Sequence, residues 1–314
     1  MPKAHAILLF GPTAVGKTGI VERLFASSGF FAGSPAAEII SADSVQVYRG
    51  LDIGSAKPSL QTRSNIPHHL IDILDPREQF TAGAFVKAAE SLIREIIHRG
   101  RIPLVSGGTA FYFRNLICGL PSTPPADLSL RAALDKECEE RGLCEMYARL
   151  DSLDPAGAAR ISPNDRYRIL RALEVIAASG KRLSELKVPA GPRRDMDFLV
   201  IGLQRERQEL ARRIDSRVDA MFAAGLADEV KGLIKQGYRE TDPGMRGIGY
   251  REFFPALTDG CLRIKDIAEA VKTDSRRYAK RQLTFFKSLP AVRWLHADAH
   301  EEIHRLVSAF LEDR

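Results

Sequence analysis

The sequence predicts an α/β protein with a parallel sheet core flanked by helices and an all-helical insertion domain. Short apolar runs alternate with helical patterns through the first part of the chain, as is typical of a parallel sheet. A turn-rich joint with three prolines, "CGLPSTPPAD" at 118–127, then opens a purely helical block, and a strand-like run returns at 196–204. We therefore expect a core from residues 1–120 and 195–314, and an insertion domain from residues 121–194.

The individual elements follow in chain order. Residues 4–10, "AHAILLF", predict the first strand, and a glycine-rich loop and the helix "TGIVERLFASSG", ending near Gly29, come directly after it. The runs "AEIISADS", "HHLIDILDP" and "IPLVSGGT" predict three further strands, with a long helix over 82–98 before the last. Residues 128–187 have helical spacing only, and the chain beyond 204 is again mainly helical.

Composition excludes few classes of protein. The 314 residues carry 46 Lys and Arg against 40 Asp and Glu, a formal charge of +6, which matters only where the cations cluster. The four cysteines form no C-x-x-C pair, which favours free thiols over disulfides. The apolar start of the chain is too short for a signal peptide or a membrane span, so we expect a cytoplasmic protein that does not bind a membrane.

The most specific motif is "GPTAVGKT", which has the form G-x-x-x-x-G-K-[ST] and lies between a predicted strand and a predicted helix. This context is typical of ATP-binding P-loop enzymes, so the core is predicted to be P-loop NTPase-like. Backbone N–H groups and Lys17 would hold phosphate oxygens, and Thr18 could bind Mg²⁺. The loop recognises only a run of phosphates and does not say whose they are. The predicted phosphate-binding residues are Gly11, Pro12, Thr13, Ala14, Val15, Gly16, Lys17 and Thr18.

An enzyme with this loop also needs an acid at the end of a neighbouring strand. Asp43, Asp72 and Asp75 are the candidates. Asp43 is the most suggestive, because it follows an apolar run and is succeeded by the polar Ser44 and Gln46. The sequence alone leaves open whether Asp43 is functional or is only the acid that caps a turn.

The order of motifs resembles one family closely. The blocks "GPTAVGKT", "SADSVQVYRGLDIGSAKP", "IPHHLIDI", "SGGTAFY", "RILRALEV", "RIDSRVDAMFAAGLADEV", "MRGIGYRE" and "AKRQLTFFK" are similar to those of the bacterial tRNA dimethylallyltransferases, also called tRNA isopentenyltransferases. They cover nearly the whole chain in the expected order.

This resemblance implies a reaction. Members of the family transfer the dimethylallyl group of dimethylallyl diphosphate to N6 of the adenosine 3′ of the anticodon, in tRNAs that read codons beginning with U. They release diphosphate and need Mg²⁺. By the matching motifs, Thr18 and the rest of its loop grip the donor diphosphate, Asp43 is the general base, Thr109 lines the channel, and Arg217 contacts the diphosphate. The chemistry of these residue types agrees, because cations stabilise a leaving diphosphate and a carboxylate can accept the amine proton.

The resemblance also implies tRNA contacts. A base within the anticodon stem-loop is reached only if it leaves the stack, so we expect a pocket for a flipped base. The stretch "RRYAKRQ" adds an aromatic among cations, which suits an RNA backbone. We expect a monomer whose tRNA-binding residues are Asp43, Ser44, Val45, Gln46, Thr109, Tyr167, Arg168, Ile169, Leu170, Arg171, Arg246, Gly247, Ile248, Gly249, Tyr250, Arg251, Arg276, Arg277, Lys280 and Arg281.

Plainer interpretations remain open. "RRYAKRQ" could be a solvated helix face, and Arg217 could merely pair with Asp215 on the surface. The i, i+4, i+8 spacing of His296, His300 and His304 could place a zinc site on one helix. Three other functions compete: an adenylate isopentenyltransferase acting on free AMP or ATP, a P-loop small-molecule kinase, and a non-catalytic RNA-binding module.

Overall fold

The computed structural model describes residues 3–26, 29–31, 36–124, 127–258 and 263–313. The chain divides into two compact units. The larger unit comprises Met1–Ile117 and Pro192–Arg314, and the smaller is Cys118–Gly191. Cys118, Cys138 and Cys144 form no disulfide, and the fourth cysteine, Cys261, lies outside the described residues.

The larger unit is built on a parallel sheet, which confirms the predicted fold class. Its six strands lie in the order β3-β2-β4-β1-β5-β6, and each neighbouring pair is parallel. The strand that follows the helical block pairs with β1, so the chain does return to the first sheet. The strands are β1 Ala4–Phe10, β2 Ala37–Ala42, β3 His68–His69, β4 Ile102–Gly107, β5 Met196–Gln204 and β6 Arg293–His296.

Two strands differ from the prediction. The run "HHLIDILDP" forms a strand only at His68–His69, because Leu70 and Asp72 have positive φ angles of 61° and 58°, which a strand cannot contain; Leu74 makes a single bridge to Tyr48. Strand β6 was not predicted at all. It is four residues long and only Leu295 in it is buried, so it lacks the apolar run by which the other strands were recognised.

Helices surround this sheet and form the smaller unit. The helix predicted over 82–98 is confirmed, with Thr81 accepting a hydrogen bond from the Ala84 N–H at its start. In the larger unit the helices are α1 Lys17–Phe25, α2 Leu60–Asn65, α3 Ala82–His98 and α4 Ala110–Cys118. The smaller unit contains α5 Leu128–Arg141, α6 Leu143–Leu153, α7 Pro155–Ala158 and α8 Arg166–Ser179. The chain then continues with α9 Arg207–Ala223, α10 Leu226–Lys235, α11 Phe253–Thr258, α12 Ile264–Phe286 and α13 His300–Glu312.

The carboxyl ends of the central strands meet at one edge of the sheet. Phe10 of β1 and Ala42 of β2 are both in register with Gly107 of β4. A Cβ on Gly107 would lie 2.2 Å from the Ala42 carbonyl oxygen, so only glycine permits this approach. The residues that follow these three strands are therefore brought together.

Candidate active site

A cavity of about 1310 Å³ lies at this carboxyl edge of the sheet. Ligands of open α/β sheets bind at this edge, so the position alone marks it as a functional site. Five residues of the predicted phosphate loop line it, namely Thr13, Ala14, Gly16, Lys17 and Thr18. The other three residues of the loop are buried and do not line the cavity, namely Gly11, Pro12 and Val15.

The phosphate loop is held from outside by two arginines. Arg213 Nε donates to the Ala14 carbonyl at 2.9 Å, and Arg205 Nε donates to the Val15 carbonyl at 2.8 Å. Ala14 has a φ of 61° and Gly16 a φ of 115°, so the loop is a conformation that needs such support. Arg213 is one of several charged residues of α9, and Arg205 lies just before that helix, so no local pattern in the sequence marks either arginine.

Lys17 folds back on its own loop. Its Nζ donates to the carbonyls of Gly11 at 2.9 Å and Pro12 at 3.1 Å. The pKa of Lys17 is lowered from its usual value to about 7, mainly because the group is shielded from water and also because Arg217 is positively charged, while the charge of Asp43 opposes the shift. Lys17 is therefore close to its titration point near neutral pH.

We expect diphosphate binding to take up a proton. An anion beside Lys17 favours the charged ammonium and raises the pKa above about 7, so above neutral pH binding recruits a proton and affinity falls as pH rises. Calorimetric titration with inorganic diphosphate at pH 8, in HEPES and in Tris, should report about 0.9 proton more uptake by the unmodified protein than by Lys17→Arg, because protons on the diphosphate itself count equally in both. Lys17→Arg stays charged and should lose this uptake. Equal uptake in the two proteins would contradict the assignment.

Asp43 both caps a turn and faces the cavity. Its Oδ1 accepts the backbone N–H groups of Val45 at 2.9 Å and Gln46 at 3.2 Å. Among the described residues no donor contacts its Oδ2, and Asp43 lines the cavity. The sequence left open whether Asp43 caps a turn or is functional. The two roles are compatible, because Oδ1 caps the turn and Oδ2 is left for a ligand.

Thr109 connects the end of β4 to the turn that begins at Asp43. Its N–H donates to the Ala42 carbonyl at 3.1 Å, and its Oγ1 accepts the Ser44 N–H at 3.0 Å. Thr109, Ser44, Val45 and Gln46 all line the cavity. The predicted acceptor-side residues after β2 and β4 are therefore held together by direct hydrogen bonds.

The other two candidate acids have structural partners. Asp72 binds Lys57 at 2.5 Å and Arg63 at 2.8 Å, and its pKa lies below the ordinary value because these hydrogen bonds outweigh the effect of burial. Asp75 accepts a hydrogen bond from the Tyr238 hydroxyl at 2.8 Å. Neither acid lines the cavity. The geometry thus leaves Asp43 as the candidate base.

Arg217 lies on α9 and also lines the cavity. Burial lowers the pKa of its guanidinium and the charge of Asp43 opposes this, yet an arginine stays protonated. The alternative in which Arg217 pairs with Asp215 is wrong, because Asp215 binds Arg276 instead. Arg217 and Lys17 therefore place two cationic groups in the same cavity.

The basic residues divide between the cavity and the outer surface. Arg246, Gly247, Ile248 and Arg251 line the cavity from the segment before α11, and Arg281 lines it from α12. The other three cations of "RRYAKRQ" do not line the cavity: Arg277 and Lys280 are exposed to solvent, and Arg276 binds Asp215. Exposure suits a solvated face and an RNA contact equally.

Some predicted tRNA contacts are corrected by burial. Tyr250 is fully buried and its hydroxyl donates to Glu229 at 2.8 Å, while the adjoining Gly249 has a φ of 97° and sits against the backbone of Gly54. A Cβ on Gly54 would lie 2.6 Å from the Tyr250 ring. Tyr250 and Gly249 therefore support the loop around Gly54 instead of offering a surface.

The predicted segment on α8 is corrected in the same way. Ile169 and Leu170 are 0% and 3% exposed, because they form the core of the helical unit. Tyr167 is 65% exposed, and the Arg131 guanidinium lies over its ring at 4.8 Å. Arg171 binds Glu174 at 2.7 Å. Among these, Tyr167 and its exposed neighbour Arg168 offer the accessible surface.

The alternative of a zinc site at the three spaced histidines is not supported. His296 belongs to β6 and His300 begins α13, so the three histidines do not share a helix. Within the described ranges, no group of three or more His, Cys, Asp or Glu residues is arranged to hold a metal ion.

Comparison with known proteins decides the family. The model of the IPP transferase family matches residues 46–289. The chain belongs to the IPP transferase family. Its relatives include the tRNA dimethylallyltransferase of Geobacter sulfurreducens, 42% identical over 95% of this chain and 94% of that protein. That of Desulfatibacillum aliphaticivorans is 41% identical over 99% of both.

Solved structures agree with the fold. The tRNA isopentenylpyrophosphate transferase of Bacillus halodurans has a TM-score of 0.69 at 37% identity, covering 99% of this chain and 98% of that one. A eukaryotic dimethylallyltransferase described as acting on tRNA has a TM-score of 0.79 at 28% identity, covering 99% of this chain and 80% of that one. Within the part of this IPP transferase that the structure describes, no helix is long and apolar enough to cross a membrane.

Proposed function

We propose that the protein transfers the dimethylallyl group of dimethylallyl diphosphate to N6 of the adenosine 3′ of the anticodon, in tRNAs that read codons beginning with U, and releases diphosphate. The observation that carries this proposal is that one cavity is lined by the phosphate loop, by Asp43 and by the arginines Arg246, Arg251 and Arg281. A donor diphosphate and a nucleic-acid acceptor can then meet at a carboxylate.

On the donor side, the chemistry requires stabilisation of the leaving group. An allylic diphosphate ionises toward a delocalised cation while negative charge grows on the diphosphate. Among the cations that line the cavity, Lys17 and Arg217 would stabilise that charge, together with the N–H groups at the start of α1. Lys17 would leave the carbonyls of Gly11 and Pro12 to reach the phosphates.

On the acceptor side, the exocyclic amine of adenine is a weak nucleophile, because its lone pair is delocalised into the ring. Asp43 would accept the proton of this amine through Oδ2 as the new C–N bond forms. Its other oxygen stays bonded to Val45 and Gln46, so the carboxylate keeps its orientation while it acts.

The residues present also fit Mg²⁺. Thr18 is exposed in the cavity, and a single hydroxyl ligand suits an ion that is held mainly by phosphate oxygens and water. When bound, Mg²⁺ would supply further positive charge beside the diphosphate. We also propose that the protein acts as a monomer in the cytoplasm and that its helical unit, through Tyr167 and Arg168, contacts the anticodon stem-loop.

The test is transfer of label from dimethylallyl diphosphate in parallel reactions with unmodified tRNA, with AMP and without acceptor. We expect label on the tRNA, and its nuclease digest should yield N6-dimethylallyladenosine from the position 3′ of the anticodon. Label on AMP alone would identify an adenylate isopentenyltransferase. Absence of transfer to any acceptor, with RNA binding intact, would favour the non-catalytic alternative.

A further inference from the structure

Gln282 is a buried polar residue on α12 that none of the steps above uses. The residue is only 4% exposed, and it lines the cavity next to Arg281. A buried amide that is not hydrogen-bonded is costly, so its partners reveal what it is placed to hold.

Both partners belong to the walls of the active site. Gln282 Oε1 accepts the N–H of Thr13 in the phosphate loop at 3.0 Å, and its Nε2 donates to the Gly108 carbonyl at 2.7 Å. One partner is a donor and the other an acceptor, so the amide fits in a single orientation. A Cβ on Gly108 would lie 2.7 Å from Nε2, so the glycine also keeps room for this bond.

The helix that carries Gln282 extends from the sheet to the cationic surface. One turn after Gln282, Phe286 stacks on Phe10 of β1 with ring centroids 4.3 Å apart. Shortly before it in the same helix, Arg277 and Lys280 are exposed to solvent. The exposed cations and the buried amide therefore belong to one continuous helix.

We propose that Gln282 is a positioning residue that couples acceptor binding to donor binding, because its amide ties the RNA-facing helix to both walls of the phosphate pocket. This inference rests on the proposed function. RNA phosphates on the cations of α12 fix the helix, Gln282 then fixes Thr13 and Gly108, and the diphosphate binds a pocket that is already ordered. By linkage, diphosphate tightens RNA binding by the same factor.

The experiment measures the dissociation constant of inorganic diphosphate with Mg²⁺, with and without a saturating anticodon stem-loop RNA, on the full chain. In the unmodified protein the dissociation constant without RNA should be at least about fivefold larger than the constant with RNA, and we call this quotient the coupling ratio. Gln282→Met has a similar shape but no amide, and Gln282→Glu keeps the acceptor for Thr13 but sets an oxygen against the Gly108 carbonyl. In each of these two variants the coupling ratio should fall to about one.

The comparison variant is Arg277→Ala on the outer face of the same helix. It should weaken RNA binding but keep the coupling ratio, because saturating RNA still fixes α12. A role that is only structural would weaken diphosphate binding equally with and without RNA, leaving the ratio unchanged. An unmodified protein with a ratio of one, or either Gln282 variant with the full ratio, overturns the proposal. Failure of the proposed function is a separate result, since it would appear as absence of label transfer to tRNA.

Discussion

Asp43→Asn should lower the rate of prenyl transfer by about 10²–10⁴-fold, the range that a positioned general base contributes. Asparagine keeps an oxygen that can accept the N–H groups of Val45 and Gln46, so the turn is preserved while the proton acceptor is lost. Asp43→Ala would remove both the turn-capping oxygen and the proton acceptor. A lower transfer rate in that variant could then come from a disturbed turn as well as from the lost base. Single-turnover transfer to tRNA at saturating donor measures the rate directly.

The affinity for donor diphosphate should change by less than about threefold in this variant, because Lys17, Arg217 and the loop are untouched. Asp75→Asn is the matched control, since Asp75 is a candidate acid in the sequence but binds Tyr238 outside the cavity lining. We expect its transfer rate to stay within about threefold of the unmodified protein. A rate in Asp43→Asn within tenfold of the unmodified protein would remove Asp43 as the base.

Elements with long apolar runs could be predicted from the sequence, because local pattern decides them. The strands at Ala4–Phe10 and Met196–Gln204 and the helix Ala82–His98 match the expected ranges. The strand predicted to continue after His69 does not form, and the reason is tertiary. Asp72 departs from the strand conformation, and Lys57 and Arg63 bind its carboxylate. No local pattern contains that ion-pair network.

In the candidate site, too, the residues of a local motif could be predicted from the sequence, whereas residues with distant partners could not. The phosphate loop is recognisable because one continuous segment supplies its phosphate-binding groups, and Asp43 because it follows the end of a strand. Gln282 looked like one more polar residue in a charged run, since its partners lie 269 and 174 residues away in the chain. Tyr250 and Arg251 are adjacent in sequence, yet Tyr250 is buried and Arg251 lines the cavity, a difference that the sequence does not show.

Lys17→Met should have the second largest effect, and it should appear first in binding. Methionine keeps the unbranched chain but removes the one lysine charge of the phosphate loop, and loss of a hydrogen-bonded charge partner costs about 2–5 kcal/mol. We therefore expect the dissociation constant of inorganic diphosphate to rise at least about 30-fold at pH 7. Calorimetric or competition titration measures it.

The transfer rate at saturating donor should fall as well, because Lys17 also faces the charge that grows on the leaving diphosphate. A variant that lost only affinity would show that Lys17 acts equally on bound donor and transition state. Lys231→Met on α10 is the control for the loss of one positive charge, since Lys231 pairs with Asp228 at 3.8 Å and does not line the cavity. Unchanged diphosphate affinity in Lys17→Met would contradict the assignment of this loop. The two variants thus separate the roles: Asp43→Asn loses rate with binding kept, whereas Lys17→Met loses binding and rate together.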